Sequence, residues 1–381
     1  MLSNFWDMKL NNVQWVELGE YISQSDARNS LGEYTVDDVR GLSVQKKITE
    51  TKANMEGVSV LSYKLLKPRQ FAYVPDTSRR GDKMSLGYNE TDDTFLVSSI
   101  SCVFEVSKPH ILLPEFLYLF YCRPEFDRYA RFNSWGSARE AFSFEDMKRV
   151  RIPLPSIEVQ RTIVDAWKSL RNIKEQNEAL AAPLMQLCQS YIQECKHKYE
   201  SKELRSYIDE VNVRNDKENY GEDELRGVTS SGVFDESRAS TDGLIYKNYK
   251  IVNSSQFAYN PSRINLGSIA INQGDPCIIS PMYVVFEIVK QDELLPEYLA
   301  LWTRRKEFQR STLFYASGSV RDTFGFENMR NTKVPIPPID VQKAIISLYQ
   351  SALEYKSIAA EADAQARSIC SALMQHAINK N

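Results

Sequence analysis

Histidine is scarce in this chain: three in 381 residues, His110, His197 and His376, none of them in an H-E-x-x-H pattern. The six cysteines, Cys102, Cys122, Cys188, Cys195, Cys277 and Cys370, include no C-x-x-C pair. Together these absences argue against a zinc cluster. They point to free thiols in a reducing compartment, so a cytoplasmic protein is expected. No stretch approaches 18 apolar residues, and Met1–Trp15 mixes polar with apolar residues. Neither a membrane span nor a signal-peptide core is therefore expected. The sequence lacks a G-x-x-x-x-G-K-[ST] loop and a G-x-G-x-x-G turn, which removes the ATPase and dinucleotide readings. Its many acidic residues form no convincing metal-dependent nuclease set. Neither sign of charge dominates: 47 Lys plus Arg face 50 Asp plus Glu, a net charge of -3. A uniformly basic nucleic-acid coat is excluded, while a local basic cleft is not. With 43% hydrophobic residues the chain can build real cores, which excludes general disorder. Its length predicts two or three domains.

The chain repeats itself. Leu113-Pro114-Glu115-Phe116-Leu117 recurs as Leu295-Pro296-Glu297-Tyr298-Leu299, 182 residues on. At the same offset Gly136-Ser137-Ala138-Arg139 matches Gly318-Ser319-Val320-Arg321, and Ile152-Pro153-Leu154-Pro155 matches Val334-Pro335-Ile336-Pro337. Ile157, Val159 and Gln160 then match Ile339, Val341 and Gln342. Upstream the offset is 186, where Gln70-Phe71-Ala72-Tyr73 matches Gln256-Phe257-Ala258-Tyr259 and Arg40-Gly41 matches Arg226-Gly227. An ordered series at two nearly constant offsets implies two homologous halves that differ in loop length.

Each half mixes short β-rich runs, such as Cys102–Val106 and Tyr283–Ile288, with turns and short helices. A proline-rich segment then stops local structure and launches a long helix. The first long helix is expected from about Glu158 to Glu200, with a heptad seam of Val159, Ile163, Ala166, Leu170, Ile173, Asn177, Leu180, Leu184, Leu187 and Tyr191. The second is expected from about Asp340 to Ala377, with Val341, Ile345, Leu348, Ala352, Tyr355, Ala359, Ala362, Ala366, Ile369 and Leu373. The alanine-rich second seam buries little apolar area alone, so the two helices are expected to pair. Parallel and antiparallel pairing are both sterically open. About 40 helical residues make a rod of roughly 60 Å, which in an antiparallel pair bounds the separation of two recognition sites at roughly 18 base pairs. Asn177 has two readings, a polar seam position that fixes register or a solvent-facing irregularity.

The whole order of globular domain, I-P-x-P segment with a following Gln, long helix, and repetition resembles the specificity subunit of type I restriction-modification enzymes. Gly267-Ser268-Ile269 followed by Ser280-Pro281-Met282-Tyr283 adds to the likeness. The family's usual Glu-Gln is here Val159-Gln160 and Val341-Gln342, and Ser99 stands in the first copy where Pro281 stands in the second. The resemblance implies a mixed α/β–α+β fold. Its target-recognition domains would be residues 1–157 and 204–339, separated by an antiparallel coiled coil of long helices 158–203 and 340–381, with a pseudo-two-fold repeat. It implies a non-catalytic subunit that reads a split sequence in double-stranded DNA. Its partners would be two modification (methyltransferase) subunits and ATP-dependent restriction subunits. S-adenosylmethionine, ATP and Mg would belong to those partners, with no cofactor or metal bound by this chain. A protein-assembly scaffold without sequence-selective DNA binding is the alternative.

DNA contacts must then come from local clusters. Arg69, Arg79, Arg80 and Lys83 crowd a segment containing Pro68, Pro75 and Gly81; it reads either as a phosphate or base-edge surface or as a solvated loop. Arg263 and Asn265 occupy the comparable region of the second half, and Asn265 can read adenine. In the repeated Gly-Ser-x-Arg, Gly allows a tight turn, and Arg139 and Arg321 either hold phosphate or tie the domain to the rod through a carboxylate. Phe142, Phe144, Phe324 and Phe326 read as packing residues, and Asn260-Pro261-Ser262 as a turn.

Overall fold

The computed structural model describes residues 14–76, 83–136, 140–236, 243–315 and 323–378, with side chains as far as residue 369. The chain divides into two compact units, Met1–Gln176 with Ile358–Asn381, and Asn177–Ser357. In chain order the first half contributes β1 (Gln14–Glu17), β2 (Ile22–Ser25), β3 (Arg40–Leu42), β4 (Ile48–Glu50), β5 (Lys64–Leu66), β6 (Gln70–Tyr73), β7 (Leu86–Tyr88), β8 (Phe95–Val97), β9 (Cys102–Val106), α1 (Pro114–Tyr121), α2 (Pro124–Phe132), α3 (Phe144–Lys148), β10 (Arg151–Leu154) and α4 (Ile157–Lys198). The second half follows with β11 (Ser201–Glu203), β12 (Ile208–Glu210), β13 (Arg226–Val228), β14 (Phe234–Glu236), β15 (Lys250–Val252), β16 (Phe257–Tyr259), β17 (Ile269–Ile271), β18 (Cys277–Ile279), β19 (Val284–Ile288), α5 (Pro296–Thr303), α6 (Lys306–Tyr315), α7 (Phe326–Arg330), β20 (Lys333–Pro335) and α8 (Ile339–Ile378).

The two sets of strands repeat one topology. In the first unit a four-stranded sheet runs β2-β9-β6-β7, with pairs β1-β10, β3-β4 and β5-β8. In the second the order is β12-β19-β16-β17, with pairs β11-β20, β13-β14 and β15-β18. All these pairs are antiparallel, so within the expected mixed class the α+β form is the one found. Equivalent aromatics fill equivalent places. Phe71 stacks on Phe104 at 5.0 Å in one core, and Phe257 on Phe286 at 4.8 Å in the other. The registers also locate the change of offset. Phe71 pairs with Tyr88, seventeen positions on, whereas Phe257 pairs with Ile271, fourteen positions on. The connection from β6 to β7 is therefore the main place where the copies differ in length, as a surface loop tolerates.

Proline at the first helical position starts α1 after Leu113 and α5 after Leu295, since the missing N–H would have no helical partner there. The repeated glutamines fasten these starts to the long helices. Gln160 accepts a hydrogen bond from the Leu113 amide (2.8 Å) and donates to the carbonyls of Ile111 (2.8 Å) and Pro155 (2.9 Å). Gln342 accepts from the Leu295 amide (2.8 Å) and donates to Glu293 (2.7 Å) and Pro337 (2.8 Å). Both are fully buried, and in each the amide oxygen has one backbone partner and the two N–H groups have two carbonyl acceptors between them.

Each unit contains a segment of both long helices, and in each the segments run antiparallel. In the first, Lys174 of α4 pairs with Asp363 of α8 at 2.8 Å, and Ile369, further along α8, packs on the core that holds the earlier Ile163 and Val164. In the second, Ile192 and Cys195 near the end of α4 share a core with Ile345 and Ile346 near the start of α8, and the Cys188 Sγ lies 3.7 Å from the Ile345 carbonyl.

The expected seam of α8 coincides with its buried face. Ile345, Ala352, Ala359 and Ala362 are buried, while Leu373 lies outside the described side chains. On α4, Ile163 is buried and Leu170, Asn177 and Leu184 are half-buried. Four other seam positions need correction: Ile173, Leu180, Leu187 and Tyr191 are exposed, and besides Ile163 the buried residues of α4 are Gln160, Val164, Ala181, Cys188, Ile192 and Cys195. The facing seam explains the rotation. Within the second unit Cys188 lies against the start of α8, and small residues on α4 fill a narrow helix–helix gap better than leucines. Pro183 sits on the exposed side of α4, where the lost backbone hydrogen bond leaves its acceptor open to water.

Candidate nucleic-acid interface

In the first unit two loops are stitched side by side. The Phe142 amide donates to the Pro75 carbonyl at 2.9 Å, and Asp76 forms a backbone bridge with Ala141. Ala141 and Trp135 exchange reciprocal backbone bonds of 3.1 and 3.0 Å, and an Arg131–Glu140 ion pair closes the same loop. The sequence segments carrying the β6–β7 arginines and the Gly-Ser-x-Arg motif thus leave the core from adjacent places. Arg79, Arg80 and Arg139 lie outside the described residues, and Gly136 has a φ of 146°, a backbone conformation open to glycine.

Lys83 is exposed, and the next residue is anchored from beneath. The Met84 amide donates to the Asp127 carboxylate at 2.9 Å, while the Lys46 ammonium donates to the Met84 carbonyl at 2.7 Å and to Asp127. Burial pushes the Lys46 pKa down, and the Asp127 carboxylate opposes the shift through a hydrogen bond and its charge. Arg69 lies elsewhere, at the opposite end of β6. Its guanidinium donates to the Glu90 carbonyl at 2.6 Å and pairs with Asp92 at 3.7 Å. It lines a cleft of about 310 Å³ with Glu90, Glu115, Lys168, Arg171 and Glu175. That cleft is already spanned by the Lys168–Glu115 and Arg171–Glu90 ion pairs.

The second unit repeats the stitch. The Phe324 amide donates to the Pro261 carbonyl at 3.0 Å. Asn260 is buried and its side chain accepts from the Ser262 amide at 3.0 Å, which makes Asn260-Pro261-Ser262 a turn. Arg263 is exposed and Asn265 half-buried, in a short 3₁₀ turn that packs against α6. Among the described residues the Arg263 guanidinium makes no hydrogen bond or ion pair. The turn closes at Gly267, with φ of 95° and with the Ser230 carbonyl oxygen 2.4 Å from where a Cβ would stand; no other residue fits there. Arg321, with Gly318 to Val320, lies outside the described residues.

Phe142 and Phe324 are buried, and Phe144 and Phe326 pack against the two cores, as packing residues do. Reading the sequence overlooked a second class of aromatics. Phe132 at the end of α2 is 81% exposed and Phe314 near the end of α6 is 84% exposed. They match at the 182-residue offset, Phe132 as the last residue of α2 and Phe314 as the last but one of α6. Trp135 and Tyr315 beside them are also exposed. The 182-residue offset was the signal that could have found them.

Among the described residues no group of three or more His, Cys, Asp or Glu is placed to hold a metal ion. No described helix is long and apolar enough to cross a membrane. The described cysteines are free thiols, and burial raises the pKa of Cys188 and Cys277 to about 11, which keeps them protonated and unreactive at neutral pH.

Residues 78–182 and 183–363 match the family described as type I restriction modification DNA specificity domain. The crystal structure of the type I restriction-modification system S subunit from M. genitalium superposes over 96% of this chain and 97% of its own, with a TM-score of 0.63 at 12% identity. The HsdS subunit from Thermoanaerobacter tengcongensis, 17% identical, aligns over 96% of each chain with a TM-score of 0.41. The first of these shows a shared fold. No curated protein matches the chain.

Proposed function

We propose a function from the premise that this chain belongs to the family of type I restriction-modification DNA specificity domains. A DNA-recognition and complex-assembly role follows from membership. The finer reading is that residues 1–157 and 204–339 are target-recognition domains, each reading one half of a split sequence in double-stranded DNA across a nonspecific spacer. One observation carries it. Both units use the same backbone bond, Phe142 to Pro75 and Phe324 to Pro261, to hold the chain leaving the sheet beside the chain entering the third short helix. One framework used twice, with loops of different length and sequence, suits two half-sites of different sequence.

Lys83, Arg79, Arg80 and Arg139 in the first domain and Arg263 and Arg321 in the second supply phosphate and base-edge contacts, and Asn265 an adenine contact. Arg69 takes a lesser part, because its guanidinium is engaged with Glu90 and Asp92. The chain itself has no catalysis. Two modification subunits transfer methyl groups to adenine, and restriction subunits translocate and cleave. The exposed Leu180, Leu187 and Tyr191 on α4 give a modification subunit an apolar strip to cover.

Methylome sequencing of cells with the chain present and deleted tests this reading. The expected result is loss of one split adenine-methylation motif on deletion. Partner assembly without any sequence-selective DNA binding would refute it in favour of a scaffold.

A further inference from the structure

We infer that Phe132 and Phe314 are wedges that enter base steps of DNA, one ring in each half-site. This deepens the recognition reading above and rests on it. The two rings are the most exposed phenylalanines among the described residues, at 81% and 84%. They occupy one position of the repeat, although their neighbours differ: Arg131 and Asn133 flank one, Leu313 and Tyr315 the other. Six residues earlier, Phe126 and Phe308 also match, and both are buried. The core therefore needs the first phenylalanine of each helix and leaves the second in water. A single exposed ring is unremarkable in a protein surface. The same ring held out at both copies of a diverged repeat calls for a common ligand.

The surroundings favour nucleic acid over a protein. A stable protein interface takes about 800 Å² from each partner, whereas one aromatic ring offers about 200 Å². Exposed apolar residues close to it in sequence are few, Tyr129 and Trp135 in the first unit and Leu313 and Tyr315 in the second, with Leu266 on the turn that packs on α6. Separating two stacked bases needs only one apolar side chain, set beside groups that hold the backbone. The exposed Arg263 lies in the turn that packs on α6, and Tyr315 stands edge-on to Phe314 with ring centroids 5.3 Å apart, bracing the ring.

The full chain assembled with its modification subunits is used to select bound duplexes from a random library, and the enriched sequence is remade with 2-aminopurine at successive positions. The expected result is a rise in fluorescence at one step in each half-site. Phe132→Ala should abolish one rise and Phe314→Ala the other, each weakening binding roughly tenfold, while Phe132→Trp keeps both. At such exposure the alanine variants should melt as the parent does; Phe132→Ser and Phe314→Ser repeat the test should either fail to fold. A selected motif bound without any fluorescent step, or with steps and affinity unchanged in the alanine variants, overturns the wedge and leaves recognition standing. Enrichment of no motif by the parent complex overturns both.

Discussion

Replacing Gln160 with leucine should loosen the first unit and leave the second intact. The side chain makes three hydrogen bonds to backbone, to Leu113, Ile111 and Pro155, and is fully buried. A buried neutral hydrogen bond contributes about 1 kcal/mol net, and a buried group left without a partner costs about 1–3 kcal/mol. Leucine keeps the approximate volume and loses the amide's own desolvation, which offsets part of that cost. Water can reach the half-exposed Leu113, which offsets more. The net cost is about 3 kcal/mol, roughly a hundredfold in the opening equilibrium of the segment. Hydrogen exchange reads this directly: protection across α1 should fall by that factor in Gln160→Leu, while α5 stays unchanged. Gln342→Leu should give the mirror result. The glutamate variant supplies a sign test. Its carboxylate would face the Ile111 and Pro155 carbonyl oxygens, so its folded pKa rises. A raised carboxyl pKa makes stability return as the pH falls through that pKa. Protection within threefold of the parent in Gln160→Leu, or equal loss in both units, would refute the clamp.

Three more outcomes follow from single residues. Gly267→Ala should destabilise the second unit by roughly 3 kcal/mol or more, since strain at a positive φ adds to a backbone clash; a thermal melt within 1 °C of the parent would contradict this. Tyr259→Phe should leave stability unchanged or raise it by about 1 kcal/mol, because its buried hydroxyl has no hydrogen-bond partner among the described residues; urea unfolding measures it, and a loss of similar size would show a hidden partner. The Lys174 hydrogen bond and charge hold the Asp363 carboxyl below the usual carboxylate range. The contribution of this half-exposed pair, about 0.5 kcal/mol, is therefore present above about pH 4 and lost as the pH falls through the lowered folded value. Asp363→Asn should flatten the acid limb of a pH-dependent melt of the first unit by that amount, and an unchanged limb would dismiss the pair.

Much of the architecture is legible in the sequence. Offsets of 186 and 182 predicted two copies, and the registers of Phe71 with Tyr88 and Phe257 with Ile271 place most of the change in one loop. Periodicity located both long helices. It located the buried face of α8 as well, because alanine and isoleucine at that seam compete with no better apolar face. On α4 it chose leucines at 180 and 187 over Ala181 and Cys188, which pack in their place. Hydrophobicity along one helix does not contain the width of the gap it must fill. Of the proposed interface, the repeated Gly-Ser-x-Arg and the basic β6–β7 segment are visible as sequence, whereas the placement of Arg69 and Lys83 at opposite ends of the β6–β7 hairpin needed the fold.

The sequence by itself determined the duplication, the order of elements, the absence of recognisable cofactor and metal motifs, and a charge too balanced for a uniformly basic surface. These are properties of composition and of repeated local pattern, which a linear chain carries in full. Tertiary structure alone decided which of two helix faces packs, why each repeated glutamine must be glutamine, and which phenylalanines of a repeated pair stay in water. Each of those depends on what stands across a gap from the residue, and neighbours across a gap are not neighbours in the chain.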